Sequence, residues 1–154
     1  MALEYTLWLN NPISNKMLIN KIKSLGMECY NIEYLTSGLV IDLSEELGFW
    51  IYLIDIDDNT WETDLFEIDF VFKQSLSFRM DKEYKSVEKR YNIILKIIFE
   101  IMEEMKNSAI LVNSGSEELC FFYDGGKIIL NNESGIWDQK CFRDIIVGRK
   151  VSYL

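Results

Sequence analysis

The residues with the most obvious capacity for chemistry lie in one short run. Ile54-Asp55-Ile56-Asp57-Asp58-Asn59-Thr60-Trp61-Glu62-Thr63-Asp64 places five carboxylates in eleven residues, with a tryptophan among them. Carboxylates at this density can bind a hard cation, share acid and base roles, or present an anionic surface to a positive partner. A calcium loop needs oxygen ligands at positions 1, 3 and 5, glycine at 6 and a bidentate glutamate at 12. Counting from Asp55, the first three are Asp55, Asp57 and Asn59, but position 6 is Thr60 and position 12 is Phe66. The flanks read as strands where the motif requires helices. No metal or cofactor is therefore expected.

Catalysis finds little support elsewhere. The chain has no histidine, which removes the usual general base at neutral pH and every Ser-His or Cys-His pair. No P-loop, GxGxxG, GxSxG or HExxH occurs, and Gly125-Gly126 reads as a hairpin turn rather than a phosphate loop. A paired-carboxylate mechanism needs only Asp and Glu, so a small carboxylate- or metal-dependent enzyme stays open as an alternative. The expected role is non-enzymatic recognition. In that role Trp61 is an aromatic anchor and the acids around it steer and orient a partner. The competing reading tucks Trp61 against the sheet edge and leaves the acids to keep the protein soluble.

Charge distribution favours recognition. The formal net charge is −9, yet no Lys or Arg occurs between Lys23 and Lys73, and the 49 intervening residues hold twelve of the 25 acids. The remainder carries thirteen acids against sixteen bases. One segment is anionic, and its field attracts cations while disfavouring nucleic acid. The residues expected to meet a partner are Glu45, Glu46, Asp55, Asp57, Asp58, Trp61, Glu62, Asp64, Glu67 and Asp69.

The elements that must position these residues follow from periodicity. Leu3, Tyr5, Leu7 and Leu9 alternate with polar neighbours as a strand, Ser14 caps a helix ending near Gly26, and strands are expected over 28–34 and 39–43. Trp50 to Ile56 is a strand whose Trp50, Tyr52, Ile54 and Ile56 share one face. After the acidic loop, Leu65 to Met80 alternates with Phe66, Ile68, Phe70, Phe72, Leu76, Phe78 and Met80 on one side and Gln74 the polar intruder. This fits one long bent strand or two joined by a bulge. Asp81 to Lys106 is a long helix with a stripe from Tyr84 through Tyr91, Leu95, Ile98 and Met102 to Met105, and with its charged residues, Arg90 among them, mostly on the other side. Three short strands follow, and 136–154 is ambiguous. The expected fold is α+β: one mostly antiparallel sheet with two helices packed on one face, in a single domain over 1–154.

Cys29, Cys120 and Cys141 show no CxxC spacing and are expected as buried free thiols. With no basic leader and no apolar run long enough for a bilayer, a cytoplasmic protein with no membrane partner is expected.

Taken together, four segments resemble a known family. They are Met1-Ala2-Leu3-Glu4-Tyr5-Thr6-Leu7, Leu76-Ser77-Phe78-Arg79-Met80-Asp81-Lys82, the run from Ser108 to Glu117, and the run from Phe121 to Asn131. The chain is similar to the small immunity proteins of bacterial polymorphic-toxin systems, of the swarming-inhibition and contact-dependent-inhibition type. Where that family tends to carry an aspartate after the long helix, this chain has Asn107-Ser108. The resemblance implies a protein that binds and neutralises one cognate toxin C-terminal domain in the producing cell. Many such toxins are nucleases with basic clefts, so a cationic nuclease is the expected partner. The sequence equally permits an interaction module unrelated to toxins.

Overall fold

The computed structural model describes residues 3–28, 31–63, 68–106, 108–114 and 118–153, with backbone alone at 58, 59, 61–63, 68 and 69. Its centre is a nine-stranded sheet of order β2-β3-β4-β5-β1-β6-β7-β8-β9. The strands are β1 (Glu4–Leu9), β2 (Ile32–Leu35), β3 (Gly38–Leu43), β4 (Phe49–Thr63), β5 (Ile68–Met80), β6 (Ala109–Asn113), β7 (Glu118–Asp124), β8 (Lys127–Leu130) and β9 (Lys150–Tyr153). Every described pairing is antiparallel except β8–β9.

The α+β expectation holds, and the helix count is larger than two. Alongside α1 (Asn15–Ser24) and α3 (Val87–Met105) stand the short α2 (Ser44–Leu47) and α4 (Lys140–Ile145), the last preceded by a 3₁₀ turn at Gly135–Asp138. The parallel β8–β9 pair explains α4, because parallel neighbours need a crossover long enough to return the chain. All helices contribute to one core on one face of the sheet. There Leu18 and Ile22 of α1, Ile94 to Met102 of α3, and Cys141 and Phe142 of α4 meet Leu7, Ile51, Phe78, Leu111 and Phe121.

Three local readings change. The long helix begins at Val87 rather than Asp81, because Asp81–Ser86 turns back onto the β4 start: the Tyr84 hydroxyl donates to the Glu46 carbonyl at 3.0 Å. Arg90, assigned by pattern to the solvent side, is buried. Its guanidinium donates to the Asp81 carbonyl at 2.6 Å and lies between the rings of Tyr84 and Tyr91. The strand expected over 28–34 is described only from Ile32, and Cys29 lies outside the described residues.

The alternation on β4 has a consequence for the site. Trp50, Tyr52 and Ile54 do share a face, but Phe49, Ile51 and Leu53 fill the helix-covered core. Trp50 and Tyr52 stand half-buried on the opposite, back face.

Candidate interaction surface

The acidic run is strand, not loop. β4 continues through it to Thr63 and pairs with β5 from Phe49↔Met80 to Thr63↔Ile68. The register shifts once: Asp55 pairs with Gln74, whereas Asn59 pairs with Phe72. Four steps along β4 therefore match two along β5, and the extra residues form a bulge at Ile56, Asp57 and Asp58. A bulge bends its strand and raises the local twist. A paired strand also lacks the sharp turn of a calcium loop, and among the described residues no three His, Cys, Asp or Glu side chains are grouped to hold a metal ion.

The bend sends the far half of the hairpin across the back of the sheet. β1 pairs with β5 only as far as Leu9↔Gln74, so residues 68–73 continue beyond it as an arm with β4. Phe72 then packs on Trp8 with ring centroids 4.5 Å apart, and Phe70 meets Phe122 edge-on at 5.7 Å. Phe122 is on β7, three strands from β5, about 14 Å at normal strand spacing. Phe70 can reach it only if the arm crosses β1 and β6. Phe70 and Phe72 thus join a second apolar cluster with Ile110, Val112, Leu119 and Phe122, separate from the helix-covered core. The even side of β5 serves both cores, with Leu76, Phe78 and Met80 in the first.

Gln74 sits at the point of change and is 1% exposed. Its Oε1 accepts from the Ile13 N–H at 2.8 Å, and its Nε2 donates to the Ile13 carbonyl at 3.0 Å and to Asp55 Oδ1 at 2.8 Å. A second tie comes from Asn10, whose Nδ2 donates to the Val71 carbonyl at 2.7 Å. The polar intruder is the bracket that fixes the arm. Its interruption of the apolar alternation was the only sequence signal for that role.

These elements gather some expected partner residues and separate others. Asp55, Asp57 and Asp58 lie at the bulge, with the carboxylate of Asp57 exposed and that of Asp55 held by Gln74. Along the arm the backbone of Trp61 pairs with Phe70 and that of Glu62 with Asp69. The side chains of Asp58, Trp61, Glu62 and Asp69 lie outside what is described, as do Asp64 and Glu67 altogether. Glu45 and Glu46 are exposed on α2, at the opposite end of the ladder. Six residues of strand separate Phe49 from Asp55, about 20 Å, so these two acids do not join the bulge cluster.

Lys73 tempers the field at the hinge. It lines one depression of about 710 Å³ with Pro12, Asp55, Ile56 and Asp57. Among the described residues, these ion pairs lie away from the arm: Lys21 bridges Glu100 and Glu104 between α1 and α3, and Arg149 pairs with Glu103. Among the described residues no helix is long and apolar enough to cross a membrane.

A family model described as SitI3-like matches residues 3–141, from the edge of β1 into α4. No curated protein matches the chain.

Proposed function

The chain belongs to the SitI3-like family, and from that membership we propose that it is an immunity protein, which binds a cognate toxin domain and blocks it without catalysis. The observation that carries the reading is the acidic hairpin arm. Its bulge presents Asp57 to solvent, and apart from Lys73 at the hinge the arm lies within 49 residues free of Lys and Arg. A surface of this charge complements a cationic cleft of the kind that holds a nucleic-acid backbone. The partner fitting it best is a toxin nuclease domain, met in the cytoplasm of the producing cell.

In this reading inhibition is occlusion. The arm enters the cleft, its carboxylates take the place of substrate phosphates, and the anionic field raises the encounter rate. Anchorage of the arm by Phe70, Phe72, Gln74 and Asn10 lowers the ordering cost at binding. Co-expression with the toxin domain encoded in the adjacent reading frame tests the role. The chain should restore growth and co-elute with that domain in a stoichiometric complex. Unrelieved toxicity with no complex would refute it.

A further inference from the structure

The arm covers the back face over β1, β6 and β7, but not over β3 and β4. There Trp50 and Tyr52 stand half-buried on one side of β4. Register places Asp42 beside Trp50 and Val40 beside Tyr52, with Glu33 of β2 beside Val40. With Asn31 and Ile32 these residues line a depression of about 580 Å³. Its lining offers two aromatic rings and two carboxylates and contains no cation.

The charge of Asp42 is fixed in place. Its Oδ1 accepts from the Ser44 N–H at 2.9 Å and from the Ser44 hydroxyl at 2.6 Å. Those bonds hold its carboxyl below the usual carboxylate range. Beyond the Trp50–Tyr52 ridge lies a second depression, of about 570 Å³, where Arg79 and Lys82 are matched by Asp81 and Glu83. The shelf is therefore anionic toward β2 and β3 and of mixed charge toward β5. A positive guest is favoured on the β3 side of Trp50, where no cation opposes it.

We propose that this shelf, built by Trp50, Tyr52, Glu33 and Asp42, receives an arginine- or lysine-bearing loop of the toxin domain. The inference rests on the immunity reading and locates within it a contact distinct from the arm. A guanidinium or ammonium over the ring faces gains a cation–π attraction, and the two carboxylates supply the ion pair. The occupant is a protein loop because the depression is open and continuous with a known charged element. β4 runs from Tyr52 directly into Asp55 and the bulge, so one partner can engage shelf and arm together. Aromatics ringed by charges are also the residue types that dominate binding energy at interfaces.

The test is calorimetry of the full chain against the toxin domain from the adjacent reading frame. Trp50→Ala should weaken affinity about 30-fold, the scale of an interfacial hot spot. Glu33→Lys, on an exposed position that leaves the fold intact, should weaken it about tenfold at low salt. Tyr34→Ala is the control, since Tyr34 is 65% exposed on the other side of β2, and should bind within about twofold of wild type. Thermal unfolding of each variant separates lost binding from lost fold, and Glu33→Lys decides the question should Trp50→Ala unfold. Near-wild-type affinity for Glu33→Lys, and for Trp50→Ala where it folds, with wild type still binding, overturns the shelf and leaves the immunity reading standing. Failure of wild type to bind overturns both.

Discussion

Replacing Gln74 by leucine isolates the bracket that aims the arm. Leucine keeps roughly the volume and removes all three hydrogen bonds of the amide. The Ile13 N–H and carbonyl lose their partners at a residue only 4% exposed. Each buried group left unsatisfied costs about 1–2 kcal/mol, whereas Asp55, exposed to water, recovers its bond from solvent. The sum is about 2–4 kcal/mol, or about 5–15 °C in Tm for a chain of this size. Urea unfolding followed by circular dichroism measures it. Amide exchange should quicken at 59–63 and 68–72 before it does at β6 or β7, because the arm loses its anchor first. A loss under about 0.5 kcal/mol with unchanged exchange would refute the bracket.

Three further substitutions test the packing. Phe72→Ala removes a ring that is 5% exposed and stacked on Trp8, and should cost about 3–4 kcal/mol by urea titration. Gly48→Ala should cost at least about 2 kcal/mol, because φ is +77° and the new Cβ would lie 2.2 Å from Tyr84 Cγ, whose ring is tethered through its hydroxyl. Burial pushes the Cys120 thiol up to about 12, so the folded state favours the neutral form. That contribution is full below the unfolded thiol's value near 9 and is lost as pH rises from there toward 12. Relative to Cys120→Ala, wild type should therefore lose stability through that window in pH-dependent denaturation, and Cys120 should resist thiol reagents until the chain unfolds.

Much of the architecture is legible in the periodicity. β1, α1, β3 and β6 to β8 follow directly from apolar spacing, caps and turn residues; positive φ at Gly125 and Gly126 makes the hairpin turn that dipeptide implies. What alternation cannot give is which side of a strand meets the core. On β4 the face shared by Trp50, Tyr52 and Ile54 is plain from the alternation, yet it is the other side, with Phe49, Ile51 and Leu53, that packs beneath the helices. On β5 a single face, broken only by Gln74, serves two cores, because a bulge in its partner bends the ladder, and partner register is not encoded locally. Arg90 departs from its helical pattern for a similar reason. Its ligands are the Asp81 and Gly48 carbonyls, contacts that exist only once the turn has folded back.

The candidate site divides in the same way. The anionic bias of residues 24–72 is plain from composition, and the bulge carries part of it across the back of the sheet. Glu45 and Glu46 share the bias but not the location, since a segment contiguous in sequence is extended along a strand in space. The Trp50 shelf leaves no mark in the sequence, because its four residues come from three strands and none is unusual alone.

Stopped-flow association of the chain with the toxin domain of the adjacent reading frame tests the central claim most directly, comparing wild type with the double variant Asp57→Asn/Asp58→Asn across ionic strength. Removing two carboxylates from the bulge should slow association about 3–10-fold at low salt, and the gap should close near 1 M salt, where the screening length falls to about 3 Å. Equal, salt-independent association rates for both proteins would contradict an electrostatic role for the arm.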